Sequence, residues 1–102
     1  MSTVPTRRAM VQIFTSGDSV VITNPGPAVC KVYKMILSFG GSANLIVKDG
    51  STQIDGPYFF TAKGSSFTLY NDGDPHWITQ GNFVLNIDQV ISLTGQVYYT
   101  LG

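Results

Sequence analysis

Asn82-Phe83-Val84-Leu85-Asn86-Ile87-Asp88 alternates apolar and polar side chains with a period of two. In an extended chain Phe83, Leu85 and Ile87 fall on one face and Asn82, Asn86 and Asp88 on the other, the pattern of a strand with one buried side. Outward from this stretch, similar runs rich in β-branched and aromatic residues occupy Ala9–Phe14, Ser19–Thr23, Val29–Phe39, Asn44–Asp49, Ser66–Tyr70 and Gln96–Leu101. Turn clusters close them: Ser16-Gly17-Asp18, Asn24-Pro25-Gly26-Pro27, Gly40-Gly41-Ser42, Asp49-Gly50, Asp55-Gly56-Pro57 and Asn71-Asp72-Gly73-Asp74-Pro75. No stretch carries a helical period. Eight or nine short strands with a turn signal about every 8–12 residues predict a single all-β domain, a sandwich or a closed barrel. Residues 1–8 read as a flexible N-terminal arm and residues 9–102 as the sandwich domain.

Two stretches resist a simple one-face reading. In Val29–Phe39, Tyr33, Met35, Leu37 and Phe39 share one parity, while Cys30, Val32 and Ile36 share the other with Lys34 and Ser38. A strand apolar on both faces predicts either a central position or an outer face covered by another subunit. The glycines that follow suggest a hairpin joining this run to Asn44–Asp49. In Tyr58-Phe59-Phe60, strand alternation places Phe59 on one face and Tyr58 with Phe60 on the other, so one aromatic face meets solvent, a ligand or a subunit. A subunit is the expected cover, with Met10, Tyr58, Phe60 and Trp77 as candidate interface residues and Arg7 and Arg8 reaching acidic groups on a neighbour.

Composition narrows the function. Charged residues make up 12% of the 102, about half the usual share, and six basic against six acidic side chains give a net charge of zero. Bulk electrostatics then favours neither a nucleic acid nor an anionic membrane, and zero net charge promotes association. The single cysteine, Cys30, rules out an intrachain disulfide framework and fits synthesis in a reducing cytoplasm. Met1–Ala9 contains two arginines without a following apolar segment, so no secretory signal is expected, and no apolar run approaches a membrane span.

The chemistry-bearing residues are sparse. Asp72, Asp74 and His76 lie close together, but aspartates at turn positions and a histidine at a strand entrance account for them. A calcium loop needs a longer series of oxygen ligands, and a zinc site needs further histidines or thiolates. His76 is the only histidine, and neither Ser65, Ser66 nor Cys30 sits in a nucleophile elbow. No catalytic, metal-binding or cofactor-binding residues are assigned, and no small-molecule substrate is expected. A cupin-like metal enzyme is disfavoured because such a site draws on several histidines and a glutamate, and this chain has no glutamate.

Four segments together resemble a known family: Lys31–Gly41, Leu45–Pro57 with its Lys48-Asp49-Gly50 turn, Gly81–Ile87, and Gly95-Gln96-Val97-Tyr98-Tyr99-Thr100. Over about residues 30–100 the chain resembles the small jelly-roll head decoration (cement) proteins of tailed bacteriophages. The resemblance implies a single-domain antiparallel β-sandwich of about eight strands in a jelly-roll arrangement, and a non-enzymatic subunit of the capsid exterior, made in the host bacterial cytoplasm. Such a subunit assembles as a homotrimer and stabilises the head by bridging major capsid proteins. The alternative is a carbohydrate- or receptor-binding sandwich of a phage tail or fibre, whose signature would be Trp77 and Tyr58 displayed as a ring platform.

Overall fold

The computed structural model describes residues 7–61, 63–70 and 74–102, with Tyr70 described by its backbone alone. Among the described residues, alternating apolar residues become nine strands: β1 (Arg7–Ile13), β2 (Gly17–Ile22), β3 (Cys30–Phe39), β4 (Ala43–Asp49), β5 (Thr52–Phe60), β6 (Ser66–Tyr70), β7 (Trp77–Thr79), β8 (Phe83–Ile87) and β9 (Leu93–Leu101). They form two antiparallel sheets packed face to face. One has the order β1-β9-β3-β6 with β7 also on β3, and the other the order β2-β8-β4-β5. First pairs with last, second with second-last, third with β6 and fourth with fifth. That nested ladder, wrapped around its core, is the jelly-roll order. β6 and β7 share one edge position, pairing with Lys34–Ser38 and Cys30–Val32 of β3 respectively, so the nine strands fill eight places.

The core lies between the sheets. Val11 and Ile13, Met35, Leu37 and Phe39, Val97 and Leu93 come from one side, and Leu45, Val47, Phe83, Leu85 and Ile87 from the other, all buried. The Phe83, Leu85 and Ile87 alternation holds as read, and Val84, on the outer face, is buried as well.

The two-faced strand has a local explanation. Val32 pairs with Tyr99 and Lys34 with Tyr98, consecutive residues of β9, so Tyr33 is an extra residue in β3. This bulge inverts the alternation partway along the strand. Cys30 and Val32 before it and Met35, Leu37 and Phe39 after it all point into the core, each at most 1% exposed. A covering subunit is therefore not needed to account for β3. Gly95 serves the same strand pair: a Cβ there would collide with the Ile36 carbonyl oxygen, so only glycine lets β9 approach β3 this closely.

Three further sequence readings change. Gly40-Gly41-Ser42 is not a hairpin loop, because β3 and β4 belong to different sheets. The segment crosses the sandwich rim, held by the Gly40 N–H donating to the Ser92 carbonyl at 2.7 Å. Asp55-Gly56-Pro57 does not end a strand, since β5 continues through it with two register shifts against β4. The arm boundary also moves: Arg7 and Arg8 belong to β1, paired with Tyr99 and Tyr98, because β9 extends far enough to ladder them. The rest of the arm, residues 1–6, lies outside the described residues.

The bulge makes a direct prediction. Deleting Tyr33 would restore simple alternation and turn Cys30 and Val32 outward, at a cost of about 3 kcal/mol or more in urea unfolding. Tyr33→Ala, which keeps the extra residue, should cost clearly less. Equal losses would contradict the role assigned to the inserted residue.

Candidate functional site

A polar cluster joins the two sheets at one end of the sandwich. Asp55 on β5 accepts a hydrogen bond from the Tyr58 hydroxyl at 2.7 Å and from the Trp77 indole N–H at 2.8 Å, both on Oδ2. Its Oδ1 accepts from the Gly56 N–H at 2.8 Å, and His76 Nε2 lies 3.8 Å from Oδ2. Tyr58 and Asp55 stand on the four-stranded sheet and Trp77 on the five-stranded one, so the carboxylate ties the sheets together. The Trp77 ring also packs on Phe83 at 5.7 Å and edge-on to His76 at 4.6 Å.

These contacts set the titration of the cluster. Burial pushes the Asp55 carboxyl up, but the hydrogen bonds from Tyr58, Trp77 and Gly56 and the neighbouring His76 outweigh it, holding the carboxyl below its usual range. Burial, reinforced by the bond to Asp55 and its charge, pushes the Tyr58 hydroxyl up to about 12. A carboxylate whose oxygens are already engaged and a phenol that keeps its proton far into alkaline pH suit a fixed strut rather than proton transfer near neutrality. Burial raises the Cys30 thiol too, which leaves it an inert core side chain. Among the described residues, no three of His, Cys, Asp and Glu are grouped to hold a metal ion.

A second polar knot pins the loops beside it. Asp49 accepts from the backbone N–H groups of Gln80 and Gly81, at 3.0 and 2.8 Å. The buried Asn24 donates its amide to the carbonyls of Ala28 and Gln80, and its own N–H to Asn82 Oδ1. Turn signals mark these residues in the sequence as loop formers, and nothing local reveals partners 31 to 58 positions away.

The candidate interface residues separate into two groups. Arg7, Arg8 and Met10 are exposed on β1, with Met10 57% accessible. Tyr58, Phe60 and Trp77 are not displayed. Trp77 is buried, and Tyr58 and Phe60 face inward, half-buried against the core. The Phe60 ring stacks on Phe39 at 3.9 Å and Tyr58 meets Phe67 edge-on at 5.1 Å, so the outward aromatic of this run is Phe59, 69% exposed. The parity expected for the three aromatics holds, but the exposed side is the other one. Asp74 is exposed in the segment before β7, and Asp72 lies outside the described residues.

Two exposed residues join Met10 that the sequence reading did not select. Phe14 and Val20, 59% and 56% exposed, flank a groove of about 360 Å³ between the end of β1 and the middle of β2. Both strands are sheet edges. The signal for Phe14 was present in its parity with Met10; Val20 needed the bulge at Val21, which turns Ile22 into the core and leaves Val20 outside.

Compared with known proteins, the chain matches no family model, no curated protein and no solved structure, so its function is argued from its own residues.

The Asp55 strut makes a testable case. Asp55→Asn should lower stability at pH 7 by about 2 kcal/mol, because Tyr58 and Trp77 lose a charged acceptor. With a depressed folded-state pKa, the carboxylate's contribution is present above about pH 4 and is lost as the pH falls through the folded value, so the gap between variant and wild type should narrow in acid. For Tyr58 the sign reverses: its contribution is present below about pH 10 and is lost as the pH rises toward 12. Urea midpoints from pH 2 to 11, as a rough span, check both limbs; a gap that does not change with pH would contradict the strut.

Proposed function

We propose that this chain is a non-enzymatic structural subunit, a capsid decoration protein of a tailed bacteriophage that works as a homotrimer on the capsid exterior and bridges major capsid proteins. The observation that carries the reading is the open corner between β1 and β2. Met10, Phe14 and Val20, each more than half exposed, line one groove between two unpaired strand edges. Contiguous apolar surface beside free backbone donors and acceptors costs solubility in an isolated subunit and is relieved by another chain. A share of 12% charged residues fits the same life in an assembly. Three modest footprints on one rigid trimer would bind a capsid far more tightly than one footprint alone. The alternative, a glycan-binding tail module, drew on a Trp77 and Tyr58 platform, and its particular support goes with the burial of Trp77.

Light scattering after size exclusion tests the reading. The wild-type protein should elute with three times the 11.0 kDa chain mass. Phe14→Asp with Val20→Asp should shift it to monomer at the same concentration while the sandwich stays folded by circular dichroism. A monomeric wild type, or a trimer indifferent to the two charges, would count against it.

A further inference from the structure

Charge is divided unevenly between the described strands of the two sheets. The outer face of the five-stranded sheet carries Arg8 on β1 and Lys31 and Lys34 on β3, with Arg7 at its margin, and no carboxylate stands on its described strands. Asp18, Asp49 and Asp55 lie on the four-stranded sheet and Asp88 just beyond its β8. The carboxylates of the second sheet are engaged internally. Asp18 holds Lys48 at 3.0 Å and Asn86 at 2.7 Å; Asp88 takes the Asn44 amide at 2.9 Å; Asp49 and Asp55 are engaged as described above. Among the described residues, no carboxylate lies within ion-pair distance of Arg7, Arg8 or Lys31.

The cations are also placed to act together. Arg8 and Lys34 both pair with Tyr98, from opposite sides of β9, and the Lys34 ammonium lies 5.3 Å from that ring's centre. Lys31 lies further along the same face, beside Ile78, which is 52% exposed. Cations interleaved with exposed apolar side chains suit a folded protein surface better than a phosphodiester backbone, which offers charge without apolar contact.

We infer that the outer face of the five-stranded sheet is the docking seat for an acidic protein surface, with Arg8 and Lys31 receiving its carboxylates. The chain's own aspartates are a poor match, because four of them already hold internal partners, and this argues for a different protein over a second copy. The inference rests on the assembly-subunit reading and names the chemistry of the surface that such a subunit meets. It is tested apart from that reading, since it is read by binding and not by oligomeric mass.

Poly-L-glutamate serves as the acidic polypeptide and a short DNA duplex as the phosphate polyanion, each titrated into ¹⁵N-labelled protein at low ionic strength. Amide shifts should concentrate at Arg8, Lys31, Lys34, Gln96 and Tyr98 and vanish in about 0.5 M salt. Arg8→Glu with Lys31→Glu should weaken polyglutamate binding by at least about tenfold, with the β4 and β8 amides keeping their wild-type positions. If that pair does not fold, Arg8→Gln with Lys31→Gln serves the same comparison. Shifts centred on Lys48 or Lys63, or binding indifferent to the substitutions, would overturn the inference. Tighter binding of DNA at the same residues would replace it with a phosphate seat. Concentration-dependent shifts at this face without any probe would assign it to a second copy.

Discussion

The sandwich depends on one inserted residue. β3 is the strand against which β9, β6 and β7 all ladder, and Tyr33 divides it into two segments that both present apolar side chains to the core. Without the extra residue, either Cys30 and Val32 or Met35, Leu37 and Phe39 would face outward. The first pair lies beside Trp77 of its own sheet, whose ring packs on Phe83 of the opposite sheet, and the second set meets Leu45, Val47 and the stacked Phe60 in the core. The bulge therefore sets the length of the core, and with it how far apart the Asp55 strut and the β3–β4 crossing can stand.

Burial and polar ties then divide the molecule's ends by role. One end is locked by Asp55, Asp49 and Asn24, each bonded to a segment distant in the chain, and the pKa shifts of Asp55 and Tyr58 record that locking. The β1–β2 corner is tied, among the described residues, only at Asp18, which holds Lys48 and Asn86 within its own sheet. It carries Met10, Phe14 and Val20 in the open, which is why the functional reading looks there and not at the titratable residues.

How much of this was legible depended on the range of the signal. The alternation of Phe83, Leu85 and Ile87, and of Val11 and Ile13 against Met10 and Phe14, is written in adjacent residues and carries straight into the fold. The bulge at Tyr33 is not, because an inserted residue leaves local composition unchanged and is fixed only by the partner strand's register. Gly40-Gly41-Ser42 looks the same whether it turns within a sheet or crosses between two. The aromatic run revealed that Phe59 opposes Tyr58 and Phe60, but which side is core depends on Phe39 and Phe67, placed by another sheet. Asp55 was hidden by its own turn signal, since Trp77, the partner that gives it meaning, is 22 residues further on.

A subunit that works in an assembly keeps its β1–β2 corner covered. Amide hydrogen exchange, followed at high concentration and at limiting dilution, reads that cover at the residues concerned. The amides of Met10–Phe14 and Ser19–Val21 that do not face β9 or β8 should be protected at high concentration and lose that protection on dilution, while β3 stays protected throughout. Rapid exchange of those edge amides at every concentration, alongside an intact β3, would show the corner open to water and contradict it.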